Sequence, residues 1–108
     1  MMRNQSVRPD REYQLSTNGD GSLVLTGVLN KTTVTRIHEE SLGSFRDAAS
    51  TPQSIDLTGV SSVDSAGLAL LIEWVRLGRR QNRNIKFLNI PARMLPLARL
   101  FGVEHLLH

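Results

Sequence analysis

Residues 54–81 read SIDLTGVSSVDSAGLALLIEWVRLGRRQ, and the change of period inside this stretch decides the fold. Over Ser54 to Thr58, Ile55 and Leu57 stand two apart among polar neighbours, the pattern of a short strand with one buried face. From Ala66 to Gln81 the spacing becomes helical. At about 100° per residue, Leu68, Leu71, Ile72 and Val75 share one side and should face a sheet. Glu73, Arg76 and Arg80 lie opposite, with Ala66 and Ala69, while Leu70, Trp74 and Leu77 form a second apolar stripe on the flank between. One stripe attaches a helix to a sheet. The second must touch either a neighbouring helix or a partner protein, and Trp74 beside small alanines has the composition of an aromatic docking anchor.

At the junction of the two periods stands Asp64-Ser65-Ala66-Gly67. A side-chain oxygen of Asp64 or Ser65 can accept from the free N–H groups of the helix's first turn. The same helix end carries unpaired donors and partial positive charge, so it would tolerate a phosphate on Ser65. Ala66 and Gly67 keep the surrounding surface low and leave Ser65 accessible to a docking protein.

Outward from this junction the remaining elements follow. Residues 1 to 10 are polar and expected to be flexible, with the folded domain over residues 11 to 108. Glu12 to Ser16 and Leu23 to Thr26 alternate as strands around the turn signal Asn18-Gly19-Asp20-Gly21, which predicts a hairpin. Val34, Ile37, Phe45 and Ala48 predict a helix over Thr33 to Ala49, capped by Thr32 or Thr33 and stopped by Thr51-Pro52. Ile85 to Ile90 reads as a strand covered on both faces. A third helix is expected over Pro91 to Leu100, with Pro96 forcing a kink or a late start and Gly102 as the stop. The order β-β-α-β-α-β-α implies parallel pairs after an opening antiparallel hairpin.

A chain of 108 residues with 40% hydrophobic and 21% charged residues suits one soluble globular domain with a modest core. The absence of cysteine rules out disulfides and thiolate metal sites and suits a reducing compartment. The longest apolar run, Ala66 to Ile72, is too short to span a bilayer, and the N-terminus lacks the apolar core of a signal peptide. A cytoplasmic protein with no direct membrane insertion is expected. The formal charge is +3, and Arg76, Arg79, Arg80, Arg83 and Lys86 cluster, but without interleaved aromatics. They read as a solvated helix end whose cations offset the C-terminal dipole, so nucleic acid is not an expected partner.

His38, His105 and His108 are scattered, no serine lies in a Gly-x-Ser-x-Gly elbow, and Gly27-Val-Leu-Asn-Lys-Thr32 lacks the glycine a phosphate-binding loop needs before its lysine. The expectation is therefore no enzyme, no cofactor and no metal.

Together, Ile55-Asp-Leu-Thr-Gly-Val60, Val63-Asp64-Ser65-Ala66-Gly67-Leu68, the helix after them and Ile85-Lys-Phe-Leu-Asn-Ile90 resemble a STAS domain over residues 12 to 107. That family includes anti-sigma-factor antagonists, the cytoplasmic parts of sulfate transporters and a small subunit of the Mla phospholipid-transport ABC complex. The resemblance implies an α/β fold: a single domain with a mixed, mainly parallel sheet, an opening hairpin and helices largely on one side. In the antagonists the motif is Asp-Ser-(Ser or Thr)-Gly, and a partner kinase phosphorylates the serine that here is Ser65. This chain departs from it with Ala66, and with Asn30 where many antagonists carry an aspartate. Gly67-Leu-Ala-Leu-Leu71, Arg79-Arg-Gln-Asn82 and Ala98-Arg-Leu-Phe-Gly-Val103 are similar to the Mla subunit, whose hydroxyl residue after the aspartate lies at the contact with the ATPase.

The resemblance therefore implies a non-catalytic accessory subunit, held at the inner face of the membrane by its partner. That partner would be the ATPase of a phospholipid-transporting ABC complex, contacted through Asp64, Ser65, Ala66, Gly67, Ala69, Glu73 and Trp74. The alternative it implies is an antagonist that binds an anti-sigma-factor serine kinase and is switched by phosphorylation of Ser65.

Overall fold

The opening hairpin joins β1 (Tyr13–Thr17) to β2 (Leu23–Leu29), paired antiparallel from Tyr13 opposite Gly27 to Thr17 opposite Leu23. Its turn is fixed by Asp20, whose carboxylate accepts from both the N–H (3.0 Å) and the hydroxyl (2.7 Å) of Ser22. The computed structural model describes residues 12–107; the flexible segment expected over residues 1 to 10 lies outside the described residues, as does His108. Strand β2 runs three residues past the alternation that predicts it. Gly27, at φ +103°, keeps β2 against β1 where any Cβ would lie 2.1 Å from the Glu12 carbonyl oxygen.

β3 (Ser54–Val63) lies parallel to β2, from Leu23 opposite Ile55 to Leu29 opposite Val63, and β4 (Lys86–Leu88) lies parallel to β3. The sheet order is β1-β2-β3-β4, mixed, with one antiparallel and two parallel pairings. β3 outlasts its expected end because backbone pairing with β2 continues at Gly59, Val60, Ser62 and Val63, past an irregularity at Ser61, although the serines carry no strand pattern. β4 is shorter than expected because Asn89 turns the chain at φ +58°. Leu23, Leu25, Leu29, Ile55, Leu57 and Phe87 are buried on one face, while Gln14, Ser16, Thr58, Lys86 and Leu88 on the other are exposed. The helices accordingly pack on one side.

α1 (Lys31–Ser41) is capped by Asn30 rather than by Thr32 or Thr33. The Asn30 side chain accepts from the N–H groups of Thr32 and Thr33, and the Thr33 hydroxyl oxygen accepts in return from the Asn30 N–H. The helix stops well before Ala49, passing into a 3-10 turn at Leu42–Phe45. Gly43 is a weak helix former there. Beyond it, the Asp47 carboxylate accepts the Ser50 N–H (2.8 Å) and the Asp47 carbonyl accepts the Thr51 hydroxyl (2.7 Å), local bonds that replace a helical ladder. Phe45 is buried as expected, but Ala48 is exposed.

α2 spans Ser65–Arg80 and α3 spans Met94–Leu100. Pro96 imposes the late start, sitting in the first turn of α3, where a missing N–H costs nothing. Both helices end alike. Asn82 (φ 58°) and Gly102 (φ 71°) turn left-handed, and the N–H groups of Arg83 and Val103 reach back to Gly78 (2.9 Å) and Ala98 (2.8 Å).

Candidate functional site

The sheet fixes where α2 begins. Val63 closes β3 opposite Leu29, and the next N–H, that of Asp64, donates to the Leu29 carbonyl at 3.1 Å. Asp64 is extended, and its carboxylate accepts the Ala66 N–H at 2.8 Å. Of the two residues able to cap α2, Asp64 does so. Ser65 becomes the first helical residue, exposed, with a hydroxyl that makes no hydrogen bond among the described residues.

Gly67 and Trp74 do not belong to this surface. Gly67 is buried: a Cβ there would lie 2.5 Å from Val63 Cγ2 and 3.0 Å from Leu29 Cβ. Its small size lets the start of α2 lie against the ends of β2 and β3. Trp74 is 0% exposed, with its indole N–H donating to the Ser41 hydroxyl oxygen at 2.9 Å. The Ser41 hydroxyl in turn donates to the His38 carbonyl at 2.8 Å. The second apolar stripe of α2 therefore packs on α1. Small Ser41 makes room for the indole and supplies the acceptor that its buried N–H requires.

The residues left on the outer side of α2 are Ser65 and Ala69, exposed, with Ala66 and Glu73 half-buried and Asp64 at the corner. Glu73 is ion-paired with Arg76 one turn on. His38 of α1 also reaches this surface, its Nε2 lying 3.6 Å from the Glu73 carboxylate, beyond hydrogen-bond range. The sequence carries no signal for that neighbour, because it depends on how α1 and α2 cross. On the other flank of the α2 start is an open groove of about 550 Å³, lined by Val63, Asp64, Ser65, Arg93, Pro96, Leu97 and Phe101. The basic residues Arg79, Arg80, Arg83 and Lys86 are at the opposite end of the helix, where the Arg83 guanidinium donates to the Ala48 carbonyl at 3.0 Å.

Chemically, this corner offers a hydroxyl, small side chains and one ion pair on a low surface, and the Asp64 carboxylate beside Ser65 is already engaged by backbone. Among the described residues no cluster of three or more His, Asp or Glu side chains is placed to hold a metal ion, and no helix is long and apolar enough to cross a membrane.

Residues 14–108 match the protein family described as "Mlab, STAS domain". The Haemophilus influenzae "Intermembrane phospholipid transport system binding protein MlaB" is 30% identical over 96 residues, covering 85% of this chain and 90% of that protein. The Escherichia coli K12 protein of the same name is 37% identical over 49 residues, covering 45% of this chain and 50% of its own. Among solved structures, the unphosphorylated anti-sigma factor antagonist SpoIIAA matches with a TM-score of 0.63 at 16% identity, over 89% of this chain and 85% of that one. The phosphorylated form of the Bacillus cell fate determinant SpoIIAA matches with a TM-score of 0.65 at 18% identity, over 89% and 88% of the two chains. At these identities the likeness is one of fold, and it agrees with the mixed four-stranded sheet and one-sided helices. The family match and the length of the Haemophilus alignment together establish that this chain belongs to the MlaB-type STAS-domain family.

Proposed function

We propose that this protein is a non-catalytic accessory subunit that binds the ATPase subunit of a phospholipid-transporting ABC complex and supports its activity. It would act at the inner face of the membrane through that partner and help maintain lipid asymmetry. The observation that carries this reading is Ser65: an exposed hydroxyl with no partner among the described residues, at the first position of α2, on a surface kept low by Ala66 and Ala69. The relatives named as binding proteins of an intermembrane phospholipid transport system support the choice of complex.

Co-purification of the tagged chain with its ATPase subunit tests the reading. Ser65→Arg projects a long charged side chain into the contact and should abolish co-purification with the unfolding midpoint unchanged, whereas Ser65→Ala should retain both. Undiminished recovery of the ATPase with Ser65→Arg would refute the assignment.

The exposure of Ser65 at a helix N-terminus also favours a second reading, an antagonist that binds an anti-sigma-factor serine kinase and is released by phosphorylation of Ser65. Incubation with such a kinase and ATP should then add one phosphate that is absent from Ser65→Ala. Ala66, in place of a hydroxyl residue, places this reading second.

A further inference from the structure

We propose that the opposite end of α2 from Ser65 carries a binding pocket for a phosphate monoester, formed where the helix end meets the starts of β3 and β4. The phosphate would belong to a small hydrophilic ester or to a monoester lipid headgroup. This site is separate from the partner surface around Ser65 and does not depend on the function proposed above.

The pocket is open, about 410 Å³ in volume, and lined by Gln53, Ser54, Asn82, Arg83, Asn84 and Lys86. Every one of these side chains carries an N–H or O–H donor, two are cations, and none is apolar or a carboxylate. Apart from Arg83, none of them makes a side-chain hydrogen bond or an ion pair among the described residues. Backbone geometry holds the wall in place. Asn82 turns left-handed after α2, and the Lys86 N–H donates to the Gln53 carbonyl at 2.9 Å. Lys86 stands opposite Ser54 in the β3–β4 pairing. The Arg83 guanidinium is braced by the Ala48 carbonyl and keeps further N–H groups for a ligand.

A solvated helix end explains part of this charge but not this wall. The C-terminal dipole of α2 amounts to about half an elementary charge. Arg79 and Arg80 already stand in the last turn of α2, whereas Arg83 follows the helix and Lys86 belongs to β4. A second hollow, of about 190 Å³, adds Arg79 and His105 beside Arg83 and Asn84. The Asp56 carboxylate, on the same face of β3 as Ser54, is occupied by the Thr58 hydroxyl (2.6 Å) and the Asn89 amide (3.1 Å). The pocket therefore keeps a net positive charge.

The lining also selects the ligand. Most small-molecule sites are largely apolar, so a wall without an apolar side chain suits a hydrophilic anion rather than an aromatic ring or an acyl chain. A phosphate monoester carries about −1.5 to −2 charges and three strong acceptor oxygens. Arg83 and Lys86 match that charge, and the three amides and the Ser54 hydroxyl supply neutral donors for its oxygens. A carboxylate, with one charge and two oxygens, uses fewer of them.

The test titrates inorganic phosphate and glycerol phosphate into the isotope-labelled full chain and follows amide resonances by NMR, with sodium chloride at matched ionic strength as reference. Saturable shifts are expected at Gln53, Ser54, Asn82 and Asn84, with a Kd on the order of 1 mM, as for two charge-assisted hydrogen bonds at an exposed site. Lys86→Glu and Asn84→Asp, both at exposed side chains, should weaken binding by about tenfold or more. Arg80→Gln removes an exposed cation outside the pocket and should leave the Kd within about twofold. Urea midpoints check that each variant is folded.

Sedimentation with phosphatidylcholine vesicles containing phosphatidic acid separates the two sources. Sedimentation lost in Lys86→Glu assigns the phosphate to a headgroup; no sedimentation, with glycerol phosphate bound, assigns it to a soluble ester. The proposal is overturned if neither phosphate ligand gives saturable shifts and no sedimentation depends on Lys86. It is equally overturned if sodium chloride reproduces the shifts, or if Arg80→Gln weakens binding as much as Lys86→Glu, the mark of a diffuse basic surface.

Discussion

Replacing Gly67 by alanine separates packing from recognition at the Asp64-Ser65-Ala66-Gly67 corner. The added methyl would lie 2.5 Å from Val63 Cγ2, 3.0 Å from Leu29 Cβ and 3.4 Å from Leu29 Cδ1. Carbon atoms in contact prefer about 3.5–4.0 Å. Leu29 Cδ1 can rotate away, but Leu29 Cβ is held by its strand, and Val63 is β-branched, stiff at χ1 and paired with Leu29 across the sheet. Against the clash stands the helix preference for alanine over glycine, at most about 1 kcal/mol and less in the first turn. Overpacking of this kind costs about 1–3 kcal/mol. The balance predicts destabilisation by about 1–2 kcal/mol, and a chain of this length loses about 4–8 °C in Tm for each kcal/mol. Urea and thermal unfolding of Gly67→Ala beside Ser65→Ala would measure it, with the exposed serine variant staying within about 0.5 kcal/mol of wild type. Under conditions where Gly67→Ala is folded, it should still bind the proposed ATPase partner as wild type does, because its methyl points at the sheet. A Gly67→Ala protein as stable as wild type, or one that folds and fails to bind, would refute this account of the residue.

Ser41→Ala leaves the buried Trp74 indole N–H without its acceptor and should cost about 1–3 kcal/mol. Adding Trp74→Phe removes the orphaned donor, so in a double-mutant cycle the two costs should sum to more than the cost of the pair; strictly additive energies would show that the bond contributes nothing. In acid, the Asp56 carboxyl is held below its ordinary value of 3.8 by the Thr58 hydroxyl, then the Thr58 N–H and the Asn89 side chain. A depressed folded value means the contribution is complete above pH 3.8 and is lost as pH falls through the lower, folded value. The unfolding midpoint of Asp56→Asn should therefore fall less steeply than that of wild type below about pH 4, and identical acid limbs would count against the linkage.

What could be read from the sequence was whatever a local period or a turn residue encodes. Leu23, Leu25, Ile55 and Leu57 announced two strands, Leu68, Leu71 and Val75 the sheet-facing side of α2, and Gly102 the end of α3, and each is where its spacing placed it. The errors arise where a tertiary or side-chain contact outweighs the period. Asp47 captures Ser50 and Thr51 and ends the helical path early, while β3 extends past Thr58 because β2 lies alongside to pair with Gly59, Val60, Ser62 and Val63. Within the site, Asp64 and Ser65 were legible as a pair but not in their division of labour, which depends on the Leu29 carbonyl fixing Asp64 outside the helix. Trp74 could not be assigned to core or surface from spacing, since the answer is the hydroxyl of Ser41, 33 residues away.

That division of α2 has a consequence for recognition. Leu68, Leu71 and Val75 are buried facing the sheet, and Leu70 and Trp74 on the flank toward α1, so the outer side keeps Ser65, Ala66, Ala69 and Glu73. Small side chains allow close approach but remove little apolar area from water, and at about 25 cal/mol per Å² they contribute little to affinity. In the proposed function they would admit or reject a partner by shape, and a single arginine at Ser65 should then suffice to block it.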